Sequence, residues 1–140
     1  MKRDYFVKAL QDELESKKDI LDTAYKAQVL SSEVGFDFES INDAFEKFKE
    51  ECKEIEEAFY HLPEDKEHFI EEIGDGIFAL INLARFMGVS PTNLLYQTTK
   101  KYLSRVDFIE QELKKEGASW RDKSFKELDK LWDKAKEDNL

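Results

Sequence analysis

Two pairs of carboxylates on neighbouring predicted helices are the residues of this sequence best suited to chemistry. Residues three apart share a helix face, so Glu51 lies beside Glu54, and Glu72 lies beside Asp75. A turn at Pro63 separates the two helices. If the helices pack antiparallel, the four carboxylates converge, and like charges in one place repel unless a cation sits among them. Hard oxygen ligands favour Mg²⁺ or Mn²⁺.

The ordinary alternative for these carboxylates is a pair of solvated helix faces, because the chain carries 32 acidic residues. Their position argues for the metal site. Glu72 and Asp75 are flanked by Ile73, Ile77 and Phe78 in the most apolar predicted helix. A charge near a core needs a partner or a metal.

A di-iron bundle is a rival use of carboxylates on facing helices, and it requires Glu-x-x-His on two of them. The histidines are His61, which follows Ala58 by three positions, and His68, which follows Asp65. Neither gives that motif. The sequence therefore disfavours a di-iron site, and we expect both histidines at the surface.

Cationic and polar side chains occur at helical spacing further along the chain. Lys101 and Arg105 are four apart on one predicted helix, and Trp132 and Lys136 are four apart on the last. Asn82 projects from the face of the second acidic pair, two turns further on. Singly, these are typical of a solvated face or a core Trp. Together, near a carboxylate site with metal, they suit a polyphosphate.

The elements that position these residues are predicted to be helices throughout. The chain of 140 residues has five Gly, two Pro and 39% charged residues, with apolar residues at three- and four-residue spacing. This pattern predicts an all-α domain, a bundle of about five to six helices. Their expected ranges are about 4–16, 20–34, 41–60, 65–87, 91–116 and a last helix opening after residue 124.

Local signals mark several helix ends. Ser40 and Ser90 are good N-caps, and Ser124 opens a capping box. Gly35 and Gly88 are expected stops. The apolar stripe predicted to face the bundle from the third helix consists of Ile41, Ala44, Phe45, Phe48, Cys52, Ile55 and Phe59.

Three further expectations concern burial. Phe36 and Phe38, in the connector before the third helix, are predicted to anchor in the core. The fourth helix is expected to be the most buried. Gly74 and Gly76 inside that helix each cost about 1 kcal/mol against Ala, which suggests a close backbone approach near Asp75.

Charge and cysteine content exclude several classes of protein. The net charge of −10 disfavours a nucleic-acid partner, because such binding needs clustered Lys and Arg. No apolar run approaches the ~20 residues of a membrane span, and the first residues carry mixed charge rather than a signal peptide. Cys52 is the only cysteine, which fits a reducing compartment. We expect a cytoplasmic protein without a membrane partner.

A family resemblance joins these observations. Glu-Glu-x-x-Glu, formed by Glu50, Glu51 and Glu54, is followed by Glu-x-x-Asp at Glu72 and Asp75. The surrounding segments 34–38 and 71–85 also match, together with Asn82, Lys101, Arg105, Trp132 and Lys136. On these residues the chain resembles the MazG family within the all-α nucleoside triphosphate pyrophosphohydrolases. The resemblance covers residues 18–140 as one domain and leaves 1–17 as an N-terminal extension, expected to be helical.

The resemblance implies Mg²⁺-dependent hydrolysis of nucleoside triphosphates to monophosphate and pyrophosphate, with two or more metals activating water. The implied metal ligands are Glu51, Glu54, Glu72 and Asp75, and Glu50 would assist at an additional metal or the attacking water. The implied substrate contacts are Lys101, Arg105 and Lys136 to the phosphates, Trp132 in the nucleotide pocket and Asn82 to the sugar.

The resemblance also implies a homodimer or higher oligomer. Two alternatives stay open. One is a narrow pyrophosphatase for dUTP, dCTP or a modified nucleotide. The other is a non-catalytic helical module that binds nucleotides or a protein partner through the same acidic cleft.

Overall fold

The computed structural model describes residues 5–140, and within that span it contains six α-helices and no strand. The helices are α1 (Val7–Glu15), α2 (Ile20–Glu33), α3 (Ile41–Phe59), α4 (Lys66–Phe86), α5 (Pro91–Glu116) and α6 (Phe125–Glu137), with a 3₁₀ turn at Trp120–Asp122. The all-α prediction is confirmed. Residues 1–4 of the predicted extension lie outside the described residues.

Helix ends follow the local signals in the sequence. The hydroxyls of Ser40, Ser90 and Ser124 each accept a hydrogen bond from the backbone N–H three residues later, at 3.2–3.3 Å. Gly35 and Gly88 end α2 and α4 with φ of +88° and +70°, a conformation that costs a glycine little. The predicted ends of α2 to α5 therefore fall within one or two residues of the observed ones.

The chain forms two compact units, one up to Asn93 and one from Leu94 to Leu140. In the first unit, α3 and α4 form an antiparallel hairpin. The rings of Phe59 and Phe69, close to the turn, have centroids 6.0 Å apart. Helix α2 packs on α4, where the Gln28 amide donates a hydrogen bond to the backbone oxygen of Phe78 at 3.0 Å.

The buried face of α3 differs from the predicted stripe. Ala44, Glu51 and Ala58 are buried, and their seven-residue spacing places them on one face, two turns apart. Cys52, expected inside, is exposed, as are the larger apolar residues Ile41, Phe45 and Phe59. Helix α3 packs on α4, and the small alanines on its buried face are consistent with a close approach that also buries Glu51.

Helix α4 contributes five buried residues, Glu72, Gly76, Ala79, Ile81 and Ala84. Its large apolar residues do not follow the prediction. Ile70, Ile73, Ile77 and Leu80 are 39–54% exposed and form a stripe with three- and four-residue spacing, here called the α4 apolar stripe. The expectation that these isoleucines border a core around Glu72 is therefore wrong for the single chain.

The connector before α3 also departs from expectation. Phe36 is 81% exposed and does not anchor in the core, whereas Phe38 is half-buried. Asp37 between them forms an ion pair with Arg85 of α4, with a 2.9 Å hydrogen bond from Nη1 to Oδ2. The connector is thus attached to α4 mainly by charge.

The second unit has a small core that includes Ile109, Leu113 and Ala135. Trp132 of α6 lies 5.5 Å from the Tyr102 ring, between centroids. Within residues 5–140, none of the individual helices combines the length and the apolar composition needed to cross a membrane.

Candidate metal centre

Three carboxylates converge where α3 and α4 pack together. Glu51, Glu72 and Asp75 each offer one oxygen, and these oxygens all lie within 4.8 Å of one another. Glu51 and Glu72 are buried, 7% and 8% exposed, whereas Asp75 is exposed. The cluster therefore has a protein-lined side and a side open to ligands. The convergence predicted from the helical hairpin is present for these three residues.

Two oxygens of this cluster lack a hydrogen-bond partner. Glu51 Oε2 and Glu72 Oε2 are both buried and unpaired. A buried ionised oxygen without a partner is costly, and buried charges in proteins are normally paired or coordinate a metal. Oxygen donors of this type bind hard divalent cations such as Mg²⁺ and Mn²⁺. The residues present therefore fit a divalent cation.

The Oε1 oxygens of Glu51 and Glu72 lie near a lysine and a histidine. Lys47 Nζ lies 3.2 Å from Glu51 Oε1 and 3.6 Å from Glu50 Oε1. His68 Nε2 lies 3.7 Å from Glu72 Oε1. Both histidines are exposed, as expected, but the His68 contact was not anticipated, although its position one turn before Glu72 was the available signal.

The Glu54 carboxyl lies close enough to Glu51 and Glu72 for their charges to affect its pKa. The charge of Glu51 is the main cause that raises the pKa of the Glu54 carboxyl above its usual value, followed by desolvation and then the charge of Glu72. Glu54 is not one of the three converging residues. Its raised pKa shows that a proton or another cation is favoured at this edge of the cluster.

Gly76 lets α3 approach α4 next to Asp75. A Cβ added at Gly76 would lie 2.8 Å from Ile55 Cδ1, whereas one added at Gly74 would meet no atom within 4 Å. The predicted steric reason for a glycine thus holds at Gly76 alone, and the neighbour is a side chain rather than backbone.

The remaining predicted residues lie elsewhere on the chain. The Glu50 side chain is 58% exposed. The Asn82 oxygen accepts hydrogen bonds from Arg85 Nε and Nη2 at 3.1 and 2.9 Å. Lys101 and Lys136 are exposed residues of the second unit.

Arg105 and Trp132 form a contact within the second unit. The Arg105 guanidinium carbon lies 5.1 Å from the centre of the Trp132 ring, and Nε donates a hydrogen bond to the backbone oxygen of Leu140 at 2.6 Å. A guanidinium over an indole ring is favourable. The substrate roles of these two residues stay predictions.

A cavity of about 350 Å³ in the first unit was not anticipated from the sequence. Its walls include three phenylalanines and Gln28, which is 6% exposed. Gln28 Oε1 is buried and unpaired. A single glutamine within a helix gives no local signal that its side chain will line a cavity. The other lining residues include Phe36, Phe38, Phe78, Asn82 and Arg85.

Comparison with known proteins gives relatives over most of the chain, although no family model matches it. The nucleoside triphosphate pyrophosphohydrolase/pyrophosphatase MazG of Thermotoga maritima is 35% identical over 116 residues, which are 83% of this chain and 44% of that protein. The nucleoside triphosphate pyrophosphohydrolase of Escherichia coli K12 is 26% identical over 117 residues, 84% of this chain and 44% of that protein.

A shorter match is YabN of Bacillus subtilis, an uncharacterised protein that is 44% identical over 66 residues, 47% of this chain and 14% of that protein. The chain spans less than half the length of these relatives. The resemblance inferred from the carboxylate motifs is confirmed, because the chain is similar to these two nucleoside triphosphate pyrophosphohydrolases over more than four fifths of its own length.

Proposed function

We propose that this chain is a Mg²⁺-dependent nucleoside triphosphate pyrophosphohydrolase. The reaction adds water across the bond between the α and β phosphates and gives a nucleoside monophosphate and pyrophosphate. The single observation that carries the proposal is the convergence of Glu51, Glu72 and Asp75, with two buried carboxylate oxygens unpaired. The names of the relatives from T. maritima and E. coli support the same activity.

In this proposal Glu51, Glu72 and Asp75 hold the divalent cation, and Glu54 completes the ligand set. When bound, Mg²⁺ supplies polarisation of phosphate oxygens and a lower pKa of water. Glu50 is exposed beside Glu51 and accepts the proton of the attacking water or supports an additional metal. Lys101, Arg105 and Lys136 bind the phosphates, Trp132 lines the nucleotide pocket, and Asn82 contacts the sugar.

The test is pyrophosphate release with and without Mg²⁺, across the eight common ribo- and deoxyribonucleoside triphosphates. We expect Glu72→Gln and Asp75→Asn to lose at least about 100-fold in kcat/KM, the upper range for groups that merely support a metal ligand. Glu71→Gln, an exposed neighbour on α4, is the control and should keep its activity. Folded Glu72 and Asp75 variants that hydrolyse nucleotides at the wild-type rate would refute the site.

The two alternatives give other outcomes. Turnover of one or two of the eight substrates would indicate a narrow pyrophosphatase. Mg²⁺-dependent nucleotide binding without turnover of any nucleotide would indicate the non-catalytic module.

Several features of the whole protein belong to the same proposal. Residues 18–140 form the catalytic domain and 1–17 an extension. The protein assembles as a homodimer or higher oligomer, which the exposed α4 apolar stripe supports. It acts in the cytoplasm without a nucleic-acid or membrane partner.

A further inference from the structure

We infer that the Gln28 cavity holds the base of the substrate and that Gln28 selects bases carrying an exocyclic amino group. This inference rests on the proposed function, because it names the substrate class of the same site. It is carried by the cavity, its aromatic walls and the unpaired Gln28 oxygen, all of which lie within the first compact unit.

The size and walls of the cavity suit a flat heterocycle. Its volume of about 350 Å³ lies within the range of small-molecule sites. Phe36 and Phe78 line it and are 81% and 45% exposed, so their rings have surface to offer. Any nucleobase can stack on such rings, because every base has a π face. The cavity therefore favours a base over a flexible aliphatic ligand.

The cavity also lies at the right place along α4. Phe78 and Asn82 follow Asp75 by three and seven residues, which corresponds to one and two helical turns. A ribose spans a distance of that order between its base and its 5′ phosphate. A nucleotide with its phosphates at the carboxylates would thus present its base to the cavity.

Gln28 supplies the selectivity because its amide orientation is fixed. Nε2 donates to the backbone oxygen of Phe78 at 3.0 Å, so Oε1 is directed elsewhere. That oxygen is a buried acceptor without a partner and requires a hydrogen-bond donor. An exocyclic amino group projects from the ring edge and provides one. A carbonyl at the same ring position places two acceptors against each other.

Matched substrates test this without any mutation. ATP and ITP differ by an amino group in place of a carbonyl, and so do CTP and UTP. We expect a kcat/KM ratio of at least about tenfold in favour of the amino member of one or both pairs, since a site built for a hydrogen bond rejects the analogue that lacks it. If the two members of each pair have kcat/KM values within about twofold of each other, the inference is overturned. That is the result expected if a water molecule, rather than the base, donates the hydrogen bond to Gln28 Oε1.

A substitution of Gln28 tests whether this residue causes the difference in kcat/KM within each substrate pair. Gln28→Met keeps the side-chain length and removes the acceptor, so the ratio should fall towards one. Thr23→Val is the matched control, because Thr23 is a buried polar residue of the same helix outside the cavity lining. Its ratio should stay at the wild-type value. An unchanged ratio in folded Gln28→Met would overturn the role of Gln28.

The inference can fail separately from the proposed function. Equal hydrolysis of both members of each pair leaves the hydrolase and removes the base selectivity. If no triphosphate is hydrolysed, calorimetry with AMP against IMP and CMP against UMP gives the same comparison as a ratio of Kd. Equal Kd values would then overturn the inference as well.

Discussion

Glu51 Oε2 and Glu72 Oε2 are both buried without hydrogen-bond partners, and this shapes the energetics of the metal-free protein. Lys47 and His68 contact only the other oxygens of the two carboxylates. Glu54 adds a fourth carboxylate beside Glu51, Glu72 and Asp75, and its raised pKa reports the repulsion. Removing one of these charges should therefore stabilise the protein when no cation is bound.

We predict that Glu54→Gln raises the melting temperature of the metal-free protein at pH 7. The pKa of Glu54 is raised on folding, so its negative contribution to stability grows as pH rises from the unfolded pKa through the folded one. The gain from Glu54→Gln should accordingly be absent at acidic pH, below the unfolded pKa. Thermal denaturation in a chelator across this pH range measures it.

The control for this prediction is Glu57→Gln, an exposed residue one turn further along α3. It should leave the melting temperature unchanged. With saturating Mg²⁺ the order should reverse, because wild type keeps the proposed metal ligand Glu54 and Glu54→Gln lacks it. A variant that is less stable than wild type in the chelator would contradict the repulsion.

The Asp37–Arg85 pair gives a pH dependence of the opposite sign. The hydrogen bond from Arg85 is the main cause that lowers the pKa of Asp37. The pair therefore stabilises the fold above the unfolded pKa of Asp37, and this contribution is lost as pH falls through the lowered folded value.

Asp37→Asn should cost about 1.5 to 3 kcal/mol of unfolding free energy at neutral pH, the range for hydrogen bonds to charged groups. The two side chains are only 20% and 10% exposed, so solvent screens the pair weakly. Urea denaturation at decreasing pH should show the difference shrinking. Glu39→Gln, exposed in the same connector, serves as the control. A cost that persists unchanged in acid would rule out the ion pair as its origin.

The packing of α3 on α4 is tested by the two glycines of α4. Gly74→Ala should stabilise the protein by about 1 kcal/mol, because alanine is the better helix former and the added Cβ meets no atom. Gly76→Ala should give no gain or a loss, since the Cβ would lie 2.8 Å from Ile55 Cδ1. Chemical denaturation of both variants measures the contrast.

Ile55→Val removes the Cδ1 atom that Gly76→Ala would meet. Gly76→Ala should therefore cost less stability in an Ile55→Val background than in the wild type. Equal effects of the two glycine substitutions would mean that α3 does not approach α4 closely at Gly76.

Helix boundaries could be predicted because their determinants are local. A serine that caps the N–H three residues later, or a glycine with positive φ, acts within a few residues, and Ser40, Ser124 and Gly88 all follow this rule. The approach of α3 to α4 also followed from the short turn between them. The carboxylate convergence was therefore accessible from spacing alone.

The burial of particular faces could not be predicted in this way. Helix α3 carries apolar residues around more than one face, so periodicity could not decide that Glu51 lies inside and Cys52 outside. The decision comes from the packing of α3 on α4, in which the small residues Ala44 and Ala58 are buried together with Glu51. Gln28 was missed for a similar reason, because its role depends on a backbone oxygen fifty residues away.

The α4 apolar stripe bears on the assembly of the protein. Ile70, Ile73, Ile77 and Leu80 have the three- and four-residue spacing of a helix–helix seam, and each is at least 39% exposed in the single chain. Apolar residues at this spacing are typical of a surface that a second helix covers. This supports the proposal that the stripe packs against a second copy.

We predict that Ile77→Glu converts the proposed oligomer to a monomer in light scattering, because a charge in the seam would be buried without a partner. Val34→Glu introduces the same charge at another exposed aliphatic residue and should leave the oligomer intact. A monomeric wild-type protein would exclude self-association through the stripe.

The unpaired oxygens between α3 and α4 also affect how samples of this protein are compared. Because a cation that binds the folded state alone adds to its stability with increasing free concentration, a chelated batch and an untreated batch should differ in resistance to proteases. Storage buffer and purification history then become experimental variables. Lifetimes measured in two laboratories are comparable only when both state the free concentration of divalent cation.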